Sequence, residues 1–421
     1  MTSETDKWFK RWAFITTACF TLSFCAGPFT VLPVFVTTFE ADFGWSRTVT
    51  SSVYSTFLFT AAVSNVVIGR LTDRYGLKFI LIACSLLMGL GLALISQIQN
   101  IWQFYIVYVL ATLGVGAIFV VPPSTIQRSS LRRPALALGI TMAGISASRV
   151  VFVPIAGFLL LALDWRLSYL ILGVIIWLLV SISAILLLTK HDRGLAEPDN
   201  THRQEMLVNE ANTDSDPTTG GKGLGSLKEL IQNRVFILTL VLYVLPIACN
   251  QMIILHLIPF AEGVGISTAA AATATGLGSA FGVVGTIVCP ALSGIISWRR
   301  LVFITAVICS LAMVWLMSTG SLWMLYLFVA FYSFFFYGHI TTRIGFTKLL
   351  FGAQSLASLL GMLLGAGALV STLTPLAAGY LYDKTGSYSI SFLTAAILFA
   401  ITAFIALLLK KPSRSQPSFA L

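Results

Sequence analysis

Charged residues are scarce in this chain. Asp, Glu, Lys and Arg make up 10% of its 421 residues, where soluble domains carry roughly a quarter. A chain so poor in charge, and 57% hydrophobic, reads as an integral membrane protein. Acids are the rarer sign, 16 against 26 basic residues, and the net charge of +10 raises the question of nucleic acid. The basic residues are dispersed in short loops between apolar runs, as membrane topology requires, so no nucleic-acid partner is expected. The six cysteines (Cys19, Cys25, Cys84, Cys249, Cys289 and Cys309) all fall inside apolar runs. With no Cys-x-x-Cys or Cys/His spacing, they offer no metal site and read as small packing residues. No Gly-rich phosphate loop and no Ser/His/Asp set has usable spacing, so neither catalysis nor a cofactor is expected. The first apolar run lacks a small-residue cleavage site and is too long for a signal-peptide core. It is expected to stay as the first span.

What the chain does have is apolar length. A membrane-crossing helix needs roughly 20 apolar residues, and twelve such runs fit, from Trp12–Val36 to Tyr388–Leu409. With the N-terminus inside, 21 of the 26 Lys and Arg residues fall on the inner face, and only Arg47, Arg166 and Lys384 on the outer. Both termini are therefore expected to be cytoplasmic. Between His191 and Arg234 the composition turns to Asp, Asn, Thr, Gly and Glu, which reads as a flexible linker. Its end, Ser226 to Phe236, reads as a short amphipathic lead-in on the inner surface. The expected organisation is an all-α membrane protein with a six-helix bundle over 1–190, a linker over 191–234 and a second six-helix bundle over 235–421. A faint internal repeat supports parallel halves. Gly44 and Ser46 recur as Gly265 and Ser267, and Leu71-Thr72-Asp73 as Leu292-Ser293-Gly294, both at an offset of 221. Asp164, Ser168 and Tyr169 recur as Asp383, Ser387 and Tyr388 at an offset of 219.

The charged turn Gly69-Arg70-Leu71-Thr72-Asp73-Arg74-Tyr75-Gly76-Leu77-Lys78 separates two apolar runs. It resembles the Gly-x-x-x-Asp-Arg-x-Gly-x-Lys/Arg loop between helices 2 and 3 of the major facilitator superfamily. The resemblance implies a conformational switch at Gly69, Asp73, Arg74, Gly76 and Lys78, with Asp73 meeting the inner end of span 11 near Gln354 and Ser355. Three further stretches resemble bacterial monocarboxylate and oxalate/formate transporter relatives. They are Phe39 to Arg47, Arg132 to Gly144, and the pair His256-Leu257-Ile258-Pro259-Phe260 with Leu381 to Tyr388. The resemblance covers the whole chain and implies a secondary transporter, with these motifs identifying a scaffold rather than a substrate.

Ionisable residues within spans cost roughly 2.5 to 3.5 kcal/mol and usually face a cavity or a partner. Arg149, about 15 residues into span 5, shares a helical face with Met142, Ser146 and Val153. It reads as a cavity guanidinium for an anionic substrate, against an alternative in which carbonyls of a neighbouring span pin it. Arg343, near the inner end of span 10, is the weaker candidate, with snorkelling to the interface as its plain account. The family's span-8 carboxylate-binding arginine falls at Thr286 here, so either Arg149 or Arg343 replaces it or the substrate is not a simple carboxylate. His256 matches a family histidine that takes part in proton coupling. On an unbroken helix it points away from the face of Tyr243, Asn250 and Ile254, and only a break at Pro246 or Pro259 would bring both sets to one cavity. Tyr337 and Phe119 are candidate cavity walls. The spacings Gly278 to Gly282 and Gly361 to Gly365 are expected to let helices pack closely.

The reading is a twelve-span secondary transporter of a small organic anion, a carboxylate first, in a cell inner membrane, with proton coupling as an option. Its partners are the small-molecule substrate, protons in the coupled case, and the lipid bilayer. Two alternatives stay open: a transporter or exporter of neutral or drug-like compounds, and a non-transporting membrane sensor built on the same scaffold.

Overall fold

The computed structural model describes residues 2–75, 77–128, 134–194, 233–351 and 356–409, and no strand occurs among them. The N-terminal helices are α1 (Thr2–Phe24), α2 (Leu32–Phe43), α3 (Arg47–Tyr75), α4 (Leu77–Ile95), α5 (Ile101–Arg128), α6 (Pro134–Ala162) and α7 (Trp165–Gly194). The C-terminal set is α8 (Arg234–Gly263), α9 (Thr268–Ala291), α10 (Trp298–Met317), α11 (Leu322–Phe351), α12 (Leu356–Ser371), α13 (Leu373–Thr385) and α14 (Ser389–Leu408). Ten stretches among the described residues are long and apolar enough to cross a membrane, and Trp12–Phe24 and Phe79–Ile95 are shorter apolar helices. The linker, the lead-in up to residue 232, and Gln354 and Ser355 lie outside the described residues.

Three elements differ from the expected spans. The first does not run straight to Val36: α1 ends at Phe24, a 3₁₀ turn covers Gly27–Thr30, and α2 continues to Phe43. Gly27 packs so tightly that a Cβ there would lie 2.1 Å from the Phe152 ring, and Pro28 removes an amide donor, so the chain tightens into the turn. Span 11 is likewise divided at Thr372 between α12 and α13. Span 7 goes the other way. α8 is one helix from Arg234 to Gly263 despite Pro246 and Pro259, with Asn233 capping its start through a 2.9 Å bond from the Val235 amide.

The repeat has a structural counterpart. α3 starts at Arg47 and α9 at Thr268, the same offset of 221 as the sequence repeat, and Gly44 and Gly265 before them both have positive φ, 67° and 86°. Within the N-terminal set α3 and α4 pack on α5, α4 on α7, and α1 on α6. Within the C-terminal set α9 and α10 pack on α11, α10 on α14, and α8 on α12. The sets meet where α6 lies against α9 and α3 against α13, with smaller contacts between α2 and α8.

Glycines decide how closely some of these helices approach. A Cβ on Gly285 would lie 2.0 Å from the Phe334 carbonyl oxygen, and one on Gly282 would lie 2.4 Å from the Tyr337 ring. Gly361 and Gly365 behave differently from expectation, because a Cβ at either would meet no atom within 4 Å. They face open space rather than a neighbouring helix. Gly285→Ala is therefore expected to lower the melting temperature of the purified protein, at a cost of about 1 to 3 kcal/mol from overpacking against backbone. Gly361→Ala should leave it within about 0.5 kcal/mol of native, and equal melting of the two variants would contradict this account of the packing.

Candidate functional site

Where the two helix sets face each other they enclose two cavities that share Arg149 and Thr30 in their walls. The larger, of about 670 Å³, is lined by residues including Phe29, Tyr54, Asn65, Phe119, Gln251 and Leu364. The smaller, of about 50 Å³, lies among Asn250, Thr275, Ser279, Tyr332, Ser333 and Tyr337. Arg149 stands between them and donates through Nη1 to the Tyr337 hydroxyl at 2.8 Å, a bond from α6 to α11 that links the two sets. Its Nε is buried without a hydrogen-bond partner, and no carboxylate pairs with it among the described residues. A guanidinium has five N–H donors in a planar fork, so most of its capacity is left for something that enters the cavity. Asn250 joins the wall through its side-chain oxygen, which accepts from the Tyr332 hydroxyl at 3.3 Å.

One end of this interface is sealed. α3 and α13 are in close contact near Arg47, and a Cβ on Gly379 would lie 2.5 Å from Ser51 Oγ and 2.8 Å from the Arg47 carbonyl. Asp383, at the end of α13, accepts from the backbone amides of Arg47 (2.9 Å) and Thr48 (2.8 Å) and from the Thr48 hydroxyl. It thus caps the N-terminus of a helix in the other set, satisfying donors that no intrahelical carbonyl can reach. Its repeat partner Asp164 caps its own helix, accepting from the Leu167 amide at 2.8 Å. Arg47 bridges further. Its guanidinium pairs with Glu40 at 2.5 Å, donates to the Tyr388 hydroxyl at 2.5 Å, and lies 4.6 Å from the centre of the Tyr382 ring. Burial pushes the Glu40 carboxyl up from its ordinary range, while the hydrogen bond and charge of Arg47 pull it down.

His256 belongs to this seal and not to either cavity. Nε2 lies 2.9 Å from the Pro375 carbonyl and Nδ1 3.1 Å from the Tyr388 hydroxyl, with Ser51 Oγ at 3.5 Å from Nε2. A carbonyl can only accept, so Nε2 carries the proton and Nδ1 accepts from Tyr388. The opposite end of the interface is in looser contact among the described residues. α12 touches α3 far less than α13 does, and Gly361 and Gly365 face empty space there.

Among the other residues singled out by sequence, Ser146 is half-buried and lines neither cavity. Thr286 folds its hydroxyl back to the Val283 carbonyl at 2.6 Å. Tyr243 is buried beside Thr347, 3.1 Å from its hydroxyl. Arg343 does not snorkel: it is 1% exposed, donates from Nη1 to the carbonyls of Tyr243 (3.2 Å) and Leu242 (3.4 Å), and lies 4.2 Å from the centre of the Tyr243 ring. The carbonyl-pinned arrangement considered for Arg149 is met at Arg343 instead. In the charged turn, Arg74 is exposed and stacks 5.3 Å from the Tyr75 ring centre. The side chains of Asp73 and Lys78, and Gly69 and Gly76, lie outside what the structure describes. Sequence reasoning passed over Asn65 and Gln251, whose signal was an amide inside an apolar run. It also assigned no role to Asp383, Arg47 and Tyr388, although the 219-residue repeat and the scarcity of outer-face basic residues had marked them.

Two helix sets in close contact at one end and holding between them a cation with no paired carboxylate among the described residues have the arrangement of a membrane carrier for small molecules. Residues 13–347 match the Major Facilitator Superfamily, and the chain belongs to it, so it is a multi-pass transporter of that superfamily and not an enzyme. It is 25% identical over 431 aligned residues to monocarboxylate transporter 12 of Mus musculus, covering 96% of this chain and 87% of that one. The fold is similar to that of a bacterial homologue of the human lysosomal transporter Spinster, solved in an inward-facing and occupied conformation, with a TM-score of 0.71, 17% identity, and coverage of 95% and 96% of the two chains. The nucleoside transporter NupG is equally similar in fold, with a TM-score of 0.71, 14% identity, and coverage of 94% and 98%.

Proposed function

We propose that the protein moves a small organic anion, a carboxylate in the first instance, across a cell inner membrane by alternating access. The observation that carries this reading is Arg149, which sits between two cavities and pairs with no carboxylate among the described residues. An unpaired guanidinium at membrane depth is costly, and a carboxylate supplies two acceptors in the matching geometry. In this proposal twelve spans form two halves, 1–190 and 235–421, joined by 191–234 with both termini in the cytoplasm. The Arg47 end is then the outer gate, and the charged turn from Gly69 to Lys78 acts as the inner switch. Thr30, Phe119, Asn250 and Tyr337 shape the site around Arg149, while Ser146, Tyr243, Thr286 and Arg343 are reached only if the helices rearrange. The test is thermal stabilisation of purified protein by a carboxylate and by its neutral amide, since a ligand that binds the native state raises the melting point by mass action. Stabilisation by the acid alone supports the reading. Equal stabilisation by the amide would favour the second reading, a carrier of neutral or drug-like compounds, for which the largely apolar lining of the larger cavity speaks.

The proton option attaches to His256 through the gate. With both ring nitrogens engaged as described, the closed gate holds the imidazole neutral beside Tyr388 and Ser51. Protonation would put a second donor on the Tyr388 hydroxyl, which already accepts from Arg47. Proton binding therefore favours the open gate, and acid should open it. The reporter is a Thr30→Cys variant probed with a membrane-impermeant thiol reagent from the gated side, the native cysteines all being buried. Because the thiolate is the reactive form and its fraction falls as pH falls, labelling is read relative to a freely exposed thiol at each pH. That ratio should rise severalfold as pH falls from 8 to 5, and His256→Gln should flatten it. An unchanged profile in that variant would remove His256 from the coupling.

A further inference from the structure

We infer that the anion taken by this site carries a single charge at one end of an aromatic or bulky apolar body, an inference that rests on the anion reading above. Among the described residues, the walls of both cavities hold one charged side chain, Arg149. A second carboxylate on the same ligand would lie against apolar side chains with no cation to meet it, and an unpaired ionised group in such surroundings is strongly disfavoured. Dianions are therefore excluded by the charge count.

Size and wall chemistry set the body. A cavity of about 670 Å³ falls in the range of sites that enclose ligands of drug-like size. An acid of two or three carbons would engage Arg149 and leave most of this wall in contact with water. The wall is aromatic on the side of α3: Phe57 stacks 6.3 Å from Phe29 at 9° between planes and 5.7 Å from Tyr54. Phe119, 40% exposed, faces the same space from α5. Rings held against rings in this way favour a flat apolar ligand over a hydrated one. Two neutral amides, Asn65 and Gln251, complete the lining, and Asn65 Oδ1 is buried with no partner.

The test is a set of thermal-shift titrations on the full chain with four probes: phenylacetate, lactate, phenylsuccinate and phenylacetamide. Phenylacetate is expected to act at a concentration at least about tenfold lower than lactate, since burial of a ring contributes that much or more, and lower than phenylsuccinate, whose second carboxylate would meet no cation. Phe119→Ala should shrink the ratio of phenylacetate to lactate affinity severalfold. If lactate or phenylsuccinate matches or exceeds phenylacetate while the amide is inert, the inference is overturned and the anion reading stands. If phenylacetamide matches phenylacetate, the anion reading itself fails. Silence from all four probes overturns both.

Discussion

Arg149→Gln should weaken carboxylate binding by about 10²-fold or more, because truncating one side of a buried charge-assisted pair costs about 2 to 5 kcal/mol. Arg149→Lys should keep part of the affinity and fall about tenfold short, since an ammonium supplies a charge without the planar fork. The same substitution makes a second prediction that separates the site from a structural role. In the unliganded protein Arg149 has one side-chain partner among the described residues, Tyr337, and a buried Nε without one. Glutamine can keep a hydrogen bond to Tyr337 and removes the unneutralised charge. Arg149→Gln should therefore melt at or above the native temperature while losing the ligand response. A variant that melts several degrees lower and still binds the acid would make Arg149 a structural pin. Arg343 is the control for that outcome. It is fully buried and held by two carbonyls, and Arg343→Gln is expected to destabilise without a selective loss of binding.

Asp383→Asn should open the gated end. The carboxylate accepts two backbone amides and a hydroxyl from the first residues of α3, which belong to the opposite helix set. Loss of an N-cap charge costs about 0.5 to 2 kcal/mol, and 1.4 kcal/mol corresponds to a factor of ten in a conformational equilibrium. Those bonds exist only while the gate is closed, so the cost falls on the closed state. The expected result is labelling of Thr30→Cys from the gated side about tenfold faster in the Asp383→Asn background. The matched change at the repeat position, Asp164→Asn, should leave gating unaltered, because Asp164 caps a helix of its own set. Equal effects of the two changes would show that Asp383 acts locally and that the cross-set cap does not hold the gate.

Much of this architecture could be read in the chain because a bilayer imposes strong rules. Apolar runs of span length and a shared offset of 221 were both visible, and α3 and α9 start where that offset places them. The broken first span and the unbroken α8 were less legible. Whether a proline bends a helix depends on neighbours distant in sequence, such as Phe152 against Gly27. At the site, Arg149 was visible as an ionisable residue without a nearby acid. Its depth between two cavities follows from how α6 meets α9 and α11, which no local pattern records. Arg343 was read as an interfacial residue by counting along its helix, but α8 covers it with two carbonyls and a tyrosine ring. His256 lies on a face that diverges from that of Asn250, and on the unbroken α8 it lines neither cavity.

Uptake into vesicles tests the central claim most directly. The native chain, reconstituted alone, should accumulate a radiolabelled aryl monocarboxylate with saturable kinetics, and excess unlabelled acid should compete while its amide does not. Arg149→Gln vesicles should fall to the background of empty ones. Tight binding by the purified protein with no flux above that background would contradict the account and leave a ligand-binding membrane sensor in its place.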